Sequence, residues 1–125
     1  MIPGDIDYIQ LHGTGTVQND AMESKAVKRL FGDGVPCSSS KGQLGHTLGA
    51  AGAMAAAHCW LTAWDGNPER RLPPHLWDGA EDQGLLSDSL VTVGQELPAS
   101  ARRTFLANAF AFGGSNVSLV IGRTR

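Results

Sequence analysis

Ile6-Asp7-Tyr8-Ile9-Gln10-Leu11, followed at once by His12-Gly13-Thr14-Gly15-Thr16, changes character at a single residue. The first six residues alternate and mix β-branched with aromatic side chains, which predicts a strand. The next five carry two glycines, which permit a tight backbone path and end the strand. Asp20 can then cap a helix running to about Phe31, with Glu23 at the N3 position of a capping box. Gly32-Asp33-Gly34 closes that helix, and Val35-Pro36-Cys37-Ser38-Ser39 predicts a second strand. After a loop, Ser40 to Gly45, a long uncharged helix is expected from about His46 to Trp64. Residues 65–102 are rich in turn formers and read as a long surface connection with one short strand, Leu90 to Val93. Thr104 to Phe110 and Val117 to Ile121 read as two further strands around Ala111-Phe112-Gly113-Gly114-Ser115-Asn116. The order β-α-β-α-loop-β-β is an α/β pattern, with the site expected on the loops that follow strands.

Bulk properties narrow the function. The chain has 125 residues, enough for one small domain, with 42% apolar and 18% charged residues. A net charge of −2 and a pI near 6.0 give no general attraction to nucleic acid. Two cysteines, Cys37 and Cys59, with no Cys-x-x-Cys pair, predict neither a disulfide framework nor a zinc site. Met1-Ile2-Pro3-Gly4-Asp5 has no secretion-signal pattern, and a cytoplasmic location is expected. Gly42 to Trp64 contains no Asp, Glu, Lys or Arg. Its glycines, histidines and alanines nevertheless argue for a buried helix and against a membrane span. A helix apolar on all sides must be covered on all sides. That is hard to achieve within this length, so structure is expected to be missing.

Three features stand where strands give way to loops: His12 in its Gly/Thr loop, Lys41 five residues before His46, and Phe112-Gly113-Gly114. A metal site is not expected, because His46 and His58 lie more than three turns apart along one helix. No phosphate-binding glycine signature occurs.

Taken in order, these features match a known pattern. His12-Gly13-Thr14-Gly15-Thr16 with Asp20 and Glu23 resembles the first histidine motif of β-ketoacyl synthases. Ser39-Ser40-Lys41 through Gly45-His46-Thr47-Leu48-Gly49-Ala50-Ala51-Gly52 resembles their lysine and second histidine motif. Asn108-Ala109-Phe110-Ala111-Phe112-Gly113-Gly114-Ser115-Asn116 resembles their C-terminal glycine motif. Pro73-Pro74 and the final strand also fall in family order, so the resemblance spans essentially all of residues 1–125. Ala109 and Ala111 replace the more usual serine and glycine, and Gly42-Gln43-Leu44 is an unusual loop. These departures bear on pocket shape and substrate range.

The resemblance implies the C-terminal half of a thiolase-like fold. That is a mixed sheet with a buried Ala/Gly-rich helix, incomplete without the N-terminal half. It implies decarboxylative condensation of malonyl thioester with an acyl-enzyme, in fatty acid or polyketide synthesis. His12 and His46 would donate to the thioester oxygen, where decarboxylation develops negative charge. A helix start at His46 would keep that imidazole neutral. Lys41 would organise the site through a charged contact, with Glu23 either its partner or only a helix cap. The Phe112 N–H would be one oxyanion donor and its ring a gate, with Gly113 and Gly114 allowing the bend. Thr14 and Thr16 would bond the pantetheine arm. No cofactor is implied beyond phosphopantetheine, which carries the substrates as thioesters. The implied partners are acyl carrier protein, the missing N-terminal half, and a second subunit in a homodimer or heterodimer.

Cys37-Ser38-Ser39 has the form of the family's nucleophile motif but falls in a strand, where the family places an apolar residue. The catalytic cysteine belongs at a helix N-terminus, where the dipole lowers its pKa. Cys37 is therefore expected to be a decoy and Cys59 core packing. The nucleophile is expected in the other half, which makes the chain inactive alone. It would be a fragment of a longer protein or be completed by another polypeptide. A non-catalytic chain-length-factor-like partner or a decayed fragment is the alternative. Retention of His12, Lys41 and His46 together argues against it.

Overall fold

The computed structural model describes residues 1–123. Its sheet has four strands in the order β2-β1-β3-β4. These are β1 (Tyr8–Gln10), β2 (Cys37–Ser38), β3 (Thr104–Phe110) and β4 (Asn116–Gly122). β1 runs parallel to β2, with Ile9 beside Cys37, and parallel to β3, with Tyr8 beside Phe105. β4 returns antiparallel to β3, pairing Asn108 with Ser118 and Phe110 with Asn116. The sheet is mixed, as expected.

Successive side chains of β1 point to opposite faces, and each face is covered by one helix. Tyr8, Phe105 and Ala107 pack with Ala55, Cys59 and Ala63 of α3 (Ala51–Ala63). Ile9, Leu11 and Cys37 pack with Val27 of α1 (Val17–Phe31). The result is a helix–sheet–helix sandwich.

Several boundaries differ from expectation. The N-cap of α1 is Thr16, so the helix starts at Val17 and Asp20 lies inside its first turn. Glu23 is no capping residue; it is buried in mid-helix with 2% exposure. The second strand shrinks to Cys37–Ser38. The expected loop after it contains the short helix α2 (Lys41–Leu44). The long helix does not begin at His46. Gly45 at φ 78° and Leu48 at φ 50° break the path, a 3-10 turn covers Leu48–Ala50, and α3 starts only at Ala51. Leu90 to Val93 form no ladder strand, only a parallel bridge from Leu90 to Cys37. The long connection is not purely superficial: Leu72, Leu86, Val91 and Leu97 are buried in the two cores.

The apolar helix is covered on one side only. Trp60 of α3 and Trp64, just past its C-terminus, stack at 6.1 Å with 57% and 55% exposure, and Leu61 is also exposed. Val117, Leu119 and Val120 of β4 are open to solvent as well. No helix among the described residues is long and apolar enough to cross a membrane.

Candidate active site

The carboxyl ends of β1, β2 and β3 open onto loops along one edge of the sheet, the place where α/β proteins bind ligands. β1 leads into His12-Gly13, β2 into Ser39-Ser40-Lys41, and β3 into Ala111-Phe112. These connections bring His12, Lys41 and His46 together. The His12 and His46 rings stand edge-to-face, centroids 5.7 Å apart at 87°. Phe110 backs the His12 ring at 5.5 Å. Lys41 Nζ donates to the His12 carbonyl and lies 3.5 Å from His12 Nδ1.

These contacts assign the imidazole protons. The Lys41 ammonium can only donate, so His12 Nδ1 faces a donor and the ring proton belongs on Nε2. Leu48 N–H donates to His46 Nδ1 at 3.1 Å, which again leaves the proton on Nε2. Thr47, at φ −78° and ψ 12°, turns the chain so that the Leu48 N–H points back at the ring. Thus His46 is fixed by this bond, not by the helix start expected from sequence. Burial, then the Lys41 ammonium and His46, push the His12 pKa down to about 4. Burial also lowers the Lys41 pKa, while Glu23 and Asp20 oppose that shift.

Glu23 neither caps its helix nor forms an ion pair with Lys41 among the described residues. Its Oε1 accepts from His12 N–H at 2.9 Å and from Asn108 Nδ2 at 3.0 Å. Its Oε2 accepts from Gly13 N–H at 2.8 Å. Asn108 Oδ1 in turn accepts from Ser118 Oγ at 2.8 Å. The carboxylate thereby clamps the His12 loop to α1 and β3. Gly13 sits at φ 41°, and a Cβ there would come within 2.6 Å of Ser39 Cβ. Only glycine fits that loop.

The remaining expected residues are placed less tightly. Thr14 and Thr16 hydroxyls bond each other at 2.8 Å on the surface. Thr14 and Asp20 line a cleft of about 650 Å³ that also borders Lys41, His46, His75 and Trp77. Phe112, Gly113 and Gly114 lie outside that cleft. The Phe112 ring is 94% exposed, and Gly113 and Gly114 take left-handed conformations at φ 79° and 84°.

The β-ketoacyl synthase C-terminal domain family matches residues 1–71, more than half of the chain. The chain belongs to the β-ketoacyl synthase family. Nodulation protein E of Rhizobium leguminosarum bv. trifolii is 38% identical over 94% of this chain and 28% of its own length. 3-Oxoacyl-[acyl-carrier-protein] synthase 2 of Coxiella burnetii is 36% identical over 97% and 28%. Among solved structures, a ketosynthase in complex with its chain length factor from Xenorhabdus doucetiae superposes with a TM-score of 0.84. It shares 42% identity over 99% of this chain and 30% of that one. The chain thus spans under a third of these relatives. The thiolase-like fold expected from the sequence is the fold of these ketosynthases.

In a synthase the cysteines are the obvious candidates for nucleophile, and neither here has that character. Cys37 is fully buried in β2 and burial pushes its pKa up to about 12; Cys59 behaves likewise within α3. Neither thiol is a thiolate at neutral pH. Cys37→Ala in the assembled synthase is therefore expected to leave the condensation rate within about twofold. A thousandfold loss in a steady-state condensation assay would overturn this assignment.

Sequence reading missed the partners that hold the histidines. The Leu48 N–H is a backbone group, Asn108 lies 85 positions from Glu23, and His75 sits in the turn-rich connection. A local signal that could have found the break is the Gly45–Gly49 spacing around His46, because glycine disfavours a regular helix.

Proposed function

We propose that this chain is the C-terminal portion of a β-ketoacyl-(acyl-carrier-protein) synthase. The assembled enzyme catalyses decarboxylative Claisen condensation of malonyl thioester with an acyl-enzyme. The observation that carries the reading is the His12–His46 pair, each ring with Nδ1 engaged and Nε2–H left to donate. Decarboxylation breaks the bond between the malonyl carboxylate and Cα and leaves the electron pair on Cα. The charge delocalises onto the thioester oxygen. Two neutral N–H donors aimed at that oxygen stabilise the enolate without supplying a proton to quench it. The carbanion then attacks the acyl thioester carbonyl, forming the carbon–carbon bond and expelling the cysteine thiolate. Lys41 holds His12 in its donating tautomer. The Phe112 N–H, which bonds no acceptor among the described residues, serves as one oxyanion donor for the acyl group. Thr14 and Thr16 bind the pantetheine arm, with Asp20 and Glu23 supporting.

The nucleophile, the second oxyanion donor and the cover for the apolar faces of α3 and β4 come from the portion that the relatives carry in addition. Acyl carrier protein delivers both thioesters. The assembled enzyme works as a homodimer or a heterodimer in the cytoplasm, in keeping with the two unpaired thiols. The 125-residue chain alone is inactive.

The test combines the chain with the nucleophile-bearing portion and supplies malonyl- and acyl-carrier protein. Release of CO2 and a β-ketoacyl product from the assembly, with neither from the 125-residue chain, is the expected result. An assembled protein that neither decarboxylates nor condenses would sink the reading and favour a non-catalytic partner.

A further inference from the structure

The connection between α3 and β3 carries one segment that faces the site. Pro74 to Leu76 touch α2 and the residue after β2 at three points. Gln43 Nε2 donates to the Pro74 carbonyl at 2.8 Å. A Cβ on Gly42 would meet the Leu76 carbonyl oxygen at 2.8 Å, so only glycine permits this approach. Ser39 N–H donates to His75 Nδ1 at 3.0 Å. The departures of Gly42 and Gln43 from the usual family loop therefore have a physical reason: both residues fit the loop to this segment. The segment is itself fixed. His75 N–H donates to the Val91 carbonyl, and Val91 N–H donates to the carbonyl of Cys37 in β2.

Ser39, which His75 holds, is a junction. It is 4% exposed, its Oγ donates to the Gly13 carbonyl at 2.8 Å, and the same Oγ accepts from Lys41 N–H at 3.3 Å. Moving Ser39 moves the His12-Gly13 turn and the base of Lys41 together. We propose that His75 is a positioning residue of this site: its Nδ1 fixes Ser39, and through Ser39 it sets His12 and Lys41 relative to each other. Nδ1 accepts, so the His75 proton sits on Nε2, which bonds nothing among the described residues and belongs to a ring that lines the cleft. Burial lowers the His75 pKa, with Asp20 opposing, which keeps the ring neutral and able to accept. His75 touches no reacting atom. Its effect on catalysis rests on the proposed condensing activity, but its effect on His12 does not.

The test uses the assembled synthase. In the wild type, long-range proton–nitrogen NMR of the imidazoles should find His75 Nδ1 unprotonated; a proton on Nδ1 would overturn the proposal without any variant. His75→Leu fills similar space but strands the buried Ser39 N–H. It should shift the His12 ring signals and lower malonyl-thioester decarboxylation by about tenfold or more. His75→Asn places an oxygen near the position of Nδ1 and should restore both readouts to within about threefold of wild type. Acyl transfer to the nucleophile should be spared in both variants. Equal loss in Leu and Asn variants, or unmoved His12 signals in the Leu variant, would refute the positioning role. If the wild type shows no decarboxylation, the functional reading fails, while the His12 signals still decide the role of His75.

Discussion

Replacing His12 or His46 by alanine in the assembled synthase is expected to slow malonyl-thioester decarboxylation by about a hundredfold to a thousandfold, the usual consequence of deleting one oxyanion donor. Acyl transfer to the nucleophile should survive, because it develops charge on a different oxygen. His12→Gln carries an N–H near the imidazole Nε2 and should retain more rate than alanine. Equal loss in His12→Gln and His12→Ala would mean that His12 acts by proton transfer and not as a donor. Measuring CO2 release and acyl-enzyme formation separately distinguishes the two steps.

The same site predicts a pH profile. With its pKa near 4, His12 stays neutral throughout the range where an ordinary histidine titrates. Long-range proton–nitrogen NMR should thus find the His12 ring still neutral as pH falls through 6.5, the ordinary histidine pKa, and protonated only as pH nears 4. Lys41→Met removes a cation that helps depress that pKa, so the titration should move to higher pH. Stability follows the same sign. Between the unfolded value of about 6.5 and the folded value of about 4, the unfolded chain binds more protons at His12. Stability is then complete above that window and declines as pH falls through it.

Glu23→Ala is expected to cost about 3 kcal/mol or more of folding stability, because it strands several buried donors at once. His12 N–H, Gly13 N–H and Asn108 Nδ2 all donate to its carboxylate. Glu23→Gln is not a conservative repair. Its amide nitrogen can only donate, so it opposes at least one of those N–H groups. Asn108→Ala leaves Glu23 with its two backbone partners and should cost only about 1 kcal/mol. The two residues share one network, so their effects should be non-additive in a double-mutant cycle read by chemical denaturation. A loss below about 1 kcal/mol for Glu23→Ala, the range of a surface cap, would show that the clamp does not form.

The sequence alone determined the element order and the family. Ile6 to Leu11 mixes alternating, β-branched and aromatic residues in the manner of a strand, and glycines follow where β1 and β3 end. His12, Lys41 and His46 were found because each sits beside such a break. The absence of charge across residues 42–64 also announced a helix in need of cover, and the sheet covers one side of it. Tertiary structure alone decided how the site is held. Glu23 at N3 of a capping box and Glu23 in mid-helix with its carboxylate on His12 are the same letters. What separates them is that Thr16, not Asp20, begins the helix. His46 looked like the first residue of a helix until the Leu48 N–H, turned back at Thr47, claimed its Nδ1. His75 sat in a stretch of turn formers with no period to single it out. Its bond to Ser39 spans 36 positions. Hydrogen bonds of that reach depend on where the sheet places its loops, and local sequence patterns carry no record of them.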